Sequence, residues 1–166
     1  AAVPSMARVL AEGTVPLRQA AVATLAEIGT PGAMQALDRC IDDPDRDVRI
    51  AAVKTLGQKA YRGVFGRLEA VVKSKKLREA DLTEKTAFFE AYGAMCGDAG
   101  IPFLDELLNS KGIFGRREDP EIRACAAMAL GRIKGNKALE SLQKSSDEKD
   151  IVVRNAISRA LRGSTK

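Results

Sequence analysis

The feature that most constrains this sequence is a short motif that returns along its whole length. Pro16-Leu17-Arg18-Gln19-Ala20-Ala21-Val22 aligns with Asp47-Val48-Arg49-Ile50-Ala51-Ala52-Val53, with Glu121-Ile122-Arg123-Ala124-Cys125-Ala126-Ala127, and with Val152-Val153-Arg154-Asn155-Ala156-Ile157. Thr83-Glu84-Lys85-Thr86-Ala87-Phe88-Phe89 is a more divergent copy. Anchored on the basic residue (Arg18, Arg49, Lys85, Arg123, Arg154), the copies lie 31, 36, 38 and 31 residues apart. A period of this size is the mark of stacked supersecondary units, each of which buries its apolar face only against its neighbours. The variation in spacing is expected to lie in loops.

Each copy reads as a helix with a defined start and an apolar stripe. Four residues before the anchors stand Thr14, Asp45, Asp81, Asp119 and Asp150, whose side-chain oxygens suit the free amides and the positive dipole at a helix start. Seven residues after the anchors stand Leu25, Leu56, Tyr92, Leu130 and Leu161, on the face shared with the positions three after them. Gly57, Gly93 and Gly131 follow directly and Gly29 slightly later, which predicts left-handed C-caps. Second amphipathic segments over roughly Ala33–Ile41, Val64–Lys73, Ile101–Asn109 and Lys137–Lys144 complete the hairpins.

An Asp cap, an apolar-Arg pair, Ala-rich packing and a Leu-Gly closure, clearest in 45–57 (DRDVRIAAVKTLG) and 119–131 (DPEIRACAAMALG), resemble the HEAT-repeat family, in particular its short bacterial form of the phycobilisome-lyase type. The resemblance covers nearly the whole chain. It implies an all-α, right-handed α-solenoid of about five stacked hairpins. The expected divisions are 1–13 as the trailing helix of a preceding repeat, repeats at 14–44, 45–80, 81–118 and 119–149, and a terminal half repeat at 150–166. The N-terminal edge (Met6, Val9, Leu10) is expected to have faced further repeats of a longer protein, whereas the polar tail after Arg162 reads as a true end.

Composition narrows the chemistry. There is no His and no Trp among 166 residues, aromatics are 4%, and the three cysteines (Cys40, Cys96, Cys125) are widely spaced within apolar patterns. No His-based triad, His metal site or His general base can be built, and neither a disulfide framework nor a CxxC site is suggested. The cysteines read as core residues in a reducing, cytoplasmic setting, with no run long enough to span a bilayer. Catalytic relatives implied by the resemblance meet the same obstacle. Deoxyhypusine hydroxylases need His-Glu pairs, and the HEAT-like alkylpurine DNA glycosylases use aromatic side chains, Trp among them. Bilin lyases share the repeat type, but no residue here is diagnostic of bilin binding. No enzyme activity, cofactor or metal is expected.

The candidate site is the break in the repeat at 109–118. Lys111, Ile113, Phe114, Arg116 and Arg117 form a basic stretch around an apolar pair between Gly112 and Gly115. The corresponding connection one repeat earlier carries Lys73, Lys75, Lys76 and Arg78, and equivalent connections in a solenoid are neighbours. The two segments would form a basic ridge suited to an acidic protein surface, whether a partner or another domain of the same chain, and alternatively to nucleic-acid phosphates. The bland alternative is that Ile113 and Phe114 fold back to seal the hairpin ends. Net charge is +5 with pI about 9.2, too mild to select nucleic acid by itself. Phe88, Phe89 and Tyr92 are expected to be core residues filling a wider gap, and the recurring Asp-to-cation spacing of four to reflect caps and i,i+4 pairs.

Overall fold

The computed structural model describes residues 2–112 and 114–164, Ser164 by its backbone alone. Among the described residues there are helices and turns and no strand. In chain order the helices are α1 (Ala2–Glu12), α2 (Val15–Ile28), α3 (Pro31–Asp38), α4 (Arg46–Gln58), α5 (Phe65–Val72), α6 (Lys75–Glu79), α7 (Leu82–Cys96), α8 (Ile101–Asn109), α9 (Pro120–Arg132), α10 (Asn136–Gln143) and α11 (Ile151–Ser164). The motif helices α2, α4, α7, α9 and α11 pack in succession to form one layer, and α1, α3, α5, α8 and α10 lie along it as the second.

The cap residues act as the spacing predicts in four copies of five. Asp45 accepts from the Val48 amide, Asp81 from Glu84, Asp119 from Glu121, and Asp150 from both Val152 and Val153. Thr14 stands at the start of α2 without a side-chain cap bond. The predicted stripe is the core: Leu25, Leu56 and Leu130 are wholly buried, and Phe88, Phe89 and Tyr92 are nearly so. The aromatics fill the third hairpin, where Tyr92 stacks on Phe65 with centroids 5.7 Å apart and meets Phe103 edge-on at 6.0 Å. All three cysteines are buried and unpaired.

Three expectations need correction. Gly57, Gly93 and Gly131 do not end their helices in a left-handed turn; only Gly29 does, at φ 62°. The other three lie inside α4, α7 and α9 and face the next motif helix so closely that a Cβ would sit 2.8 Å from Ala91 Cβ, 2.4 Å from the Ala129 carbonyl oxygen and 2.8 Å from Ala160 Cβ. Glycine is required there by contact between helices, not by backbone conformation.

The anchor cations do not pair with the Asp four residues before them. That carboxylate is already directed at helix amides, and the cation reaches across to an acid near the start of the following motif helix. Arg18 Nε and Nη2 donate to Asp43, both at 2.9 Å. Arg49 Nε and Nη2 donate to Glu84 at 2.6 and 3.1 Å, and Lys85 donates to Glu121 at 2.8 Å. Arg123 pairs with Glu148, both buried. The ladder of charge therefore runs between repeats and sets their register, and Arg154, on the last motif helix, is exposed with no ion pair among the described residues. Thirdly, one of the two long spacings is taken up by a short helix, α6, and not by a loop.

Candidate functional site

The two long repeats place their extra residues on consecutive connections, 73–81 and 110–119, and the fold brings these together. Arg78 on α6 forms an ion pair with Glu118. The two residues of that bridge also line a cleft of about 280 Å³, together with Phe103, Ser110, Gly112 and Arg116. Lys73, paired with Glu69 at 2.9 Å, lies over the Phe103 ring at 5.3 Å from its centroid.

The 110–119 connection is held at its base and open at its tip. Arg117 Nη1 donates to Glu148 at 2.7 Å, so this loop shares the carboxylate that holds the buried Arg123. Glu148 also accepts from the amides of Lys149 and Asp150. Arg123, first, and then the Asp150 amide and the charge of Arg117 hold the Glu148 carboxyl down at about 2, against the opposing effect of burial. At the tip, the Gly115 amide donates to the Gly112 carbonyl at 3.1 Å and Gly115 adopts φ 70°. Phe114, within that turn, is 92% exposed and seals nothing. Ile113 lies outside the described residues.

The predicted basic residues therefore divide into two groups. Lys73, Arg78 and Arg117 are committed to Glu69, Glu118 and Glu148. Lys75, Lys76, Lys111 and Arg116 are exposed and have no ion pair among the described residues. Of these, Lys111 and Arg116 flank the exposed Phe114 on the 110–119 connection, and Lys75 and Lys76 lie on α6.

A larger cleft, about 500 Å³, is lined in part by α6, and sequence reasoning gave no expectation of it. Ile41, Val71, Leu77 and Phe88 line it, together with the Arg49–Glu84 pair. Lys76 and Glu79 stand on its rim, both exposed. The available signal was Leu77, a lone apolar residue among charges in KKLRE, which is buried and ties α6 down. Among the described residues no buried side-chain nitrogen or oxygen lacks a hydrogen-bond partner, no cluster of three His, Cys, Asp or Glu could hold a metal, and no helix is long and apolar enough to cross a membrane.

Comparison with known proteins agrees with this architecture. One chain of the complex of CpcE and CpcF of phycocyanin lyase from Nostoc sp. PCC7120 superposes over 98% of this chain with TM-score 0.68 at 21% identity. This chain spans 65% of that one. Human deoxyhypusine hydroxylase, in complex with glycerol, superposes over 98% of this chain and 96% of its own with TM-score 0.52 at 16% identity. At these identities the likeness shows the fold alone. No curated protein sequence matches. The sequence profile for HEAT repeats matches residues 3–83 and 111–162, and the gap between the two matches is the stretch in which aromatics replace the usual small residues. With four-fifths of its length matched and its helices stacked in two layers, the chain belongs to the HEAT-repeat family.

Proposed function

We propose that this chain is a protein-binding scaffold that docks an acidic surface, of a partner or of another domain of its own protein, on the ridge formed by α6 and the 110–119 connection. The observation that carries this reading is Phe114: a large aromatic, 92% exposed, displayed on a turn whose base is tied to Glu148 and flanked by the free cations Lys111 and Arg116. An aromatic anchor within a charged rim is the composition of an interaction hot spot. Holding the turn at its base lowers the entropy lost on docking. The committed pairs of Lys73, Arg78 and Arg117 leave few cations for a phosphate backbone, so the ridge favours a protein over nucleic acid.

The clefts support the same reading. A catalytic site needs polar groups that converge on a reacting atom, whereas Arg49 and Glu84, which line the larger cleft, satisfy one another. The similar lyase structure is itself a complex of two proteins, which is in keeping with a docking role.

The test compares wild type, Phe114→Ala and a Lys111→Glu/Arg116→Glu double variant as immobilised baits, with quantitative mass spectrometry of what each captures. Phe114→Ala should keep its melting temperature and lose a partner that wild type retains, and the double variant should lose the same partner. A Phe114→Ala protein that melts markedly earlier, or that keeps every partner of wild type, would overturn the assignment.

A further inference from the structure

The larger cleft, between α5, α6 and α7, shares Lys76 with the ridge but none of the residues around Phe114. Among the described residues, no buried side-chain nitrogen or oxygen in it lacks a hydrogen-bond partner. Arg49 Nε and Nη2 donate to Glu84, and Nη1 donates to the carbonyls of Asp43 and Pro44 at 2.8 and 3.0 Å. The Ser74 hydroxyl donates to the Val71 carbonyl at 2.7 Å and accepts from the Leu77 amide. The rest of its lining is mainly apolar, with Ile41, Val71, Leu77 and Phe88 among it, and its volume falls within the roughly 300–1,000 Å³ range of binding clefts.

Its exposed charged residues are Asp42, which is paired with Arg67, and the unpaired Lys76 and Glu79, which carry opposite signs. Lys76, with Lys75 beside it, stands toward one end of α6, and Glu79 stands toward the other. None of the three has an ion pair among the described residues. At about 1.5 Å rise per residue, Lys76 and Glu79 are only about 4.5 Å apart along the helix axis. An occupant must therefore be apolar where it enters and oppositely charged on its two flanks. A compact anion with one charged head would leave Glu79 facing it. A polypeptide supplies both flanks from successive residues.

We infer that this cleft docks a short segment of a protein partner, one that inserts a bulky apolar side chain between α5, α6 and α7, with an acidic residue toward Lys75 and Lys76 and a basic residue toward Glu79. The inference rests on the protein-docking reading above but not on Phe114.

The probe is the capped peptide acetyl-Asp-Glu-Phe-Lys-amide, titrated into the full ¹⁵N-labelled chain, with acetyl-Lys-Lys-Phe-Lys-amide as its comparison. The amide resonances of Ser74, Lys76, Leu77, Ala80 and Glu84 should shift together and saturate, and the all-basic peptide should bind at least about threefold more weakly. Lys76→Glu should weaken the first peptide and strengthen the second. Ala70→Trp, at an exposed position on the cleft edge that keeps the core intact, should abolish both and leave the helical circular dichroism unchanged. Phe114→Ala should leave peptide binding unchanged. No shift at those amides, equal binding of the two peptides, or full binding by Ala70→Trp would overturn the inference. Shifts confined to Ser110 and Gly112 would also overturn it, while leaving the ridge around Phe114 in place. Peptide saturation of the cleft alongside unchanged capture by Phe114→Ala would instead remove the ridge and keep the cleft.

Discussion

Gly93 and Ala129 bring α7 and α9 into backbone contact, so close that a Cβ on Gly93 would lie 2.4 Å from the Ala129 carbonyl oxygen and 2.8 Å from its Cα. The same relation joins Gly57 to Ala91 and Gly131 to Ala160. Each contact links a motif helix to its successor, so these small residues set the spacing of the stack.

Gly93→Ala should therefore destabilise the chain by about 1–3 kcal/mol, because relief of the clash requires whole helices to move apart. Ala is intrinsically the better helix former by about 1 kcal/mol, so packing must outweigh propensity for this sign to hold. Gly66→Ala is the matched control. Gly66 lies in α5 with nothing within 4 Å of the point where an alanine methyl would stand, and this change should raise stability by up to about 1 kcal/mol. Urea titrations of the two variants check both signs.

Glu148→Ala should be among the most damaging single changes, costing about 3–5 kcal/mol, since it strands the buried Arg123 and releases Arg117. Arg46→Ala removes the exposed pair with Asp81 and should cost no more than about 1 kcal/mol. Equal losses in the two variants would refute a special role for the buried clamp.

The clamp also sets an acid limit. The folded Glu148 carboxyl lies at about 2, below its ordinary 4.5, so its contribution is fully present above pH 4.5 and is lost as pH falls through about 2. Arg117 should release the 110–119 connection over the same interval. Hydrogen exchange at Gly115 and Arg117, compared with exchange in α9 at steps from pH 5 toward pH 2, should show this connection loosening before α9 unfolds.

The cysteines should be inert in the native state. Burial pushes each thiol up to about 11 from 9.0, which depletes the reactive thiolate, and all three are nearly inaccessible. An aromatic disulfide reagent at pH 8 should titrate three thiols in denaturant and almost none without it. A thiol that reacts in the native chain as fast as free cysteine would contradict the packing.

Thr14→Asp should stabilise α2 by about 0.5 kcal/mol. Thr14 occupies the start of α2 in extended conformation without a cap bond, whereas Asp at the same position of the other four motif helices caps. Thermal melts of wild type and variant measure the difference.

Much of this molecule was legible in the amino-acid order because it depends on neighbours along one helix. The repeat, the Asp caps, the Leu25, Leu56 and Leu130 stripe and the core placement of Phe88, Phe89 and Tyr92 follow from spacing of a few residues, and a 3.6-residue period makes such spacing visible. What lies between helices was decided only by their packing. Arg18 reaches Asp43 and Arg49 reaches Glu84 across 25 and 35 residues, and Gly93 is glycine because of Ala129, 36 residues on. The outward setting of Phe114, the joining of α6 to the 110–119 connection through Arg78 and Glu118, and the cleft beneath α6 have the same origin. Local order specifies which face of each helix is apolar; the rotation and distance at which two faces meet depend on side chains far apart in sequence, and that meeting shapes the surfaces on which a partner would dock.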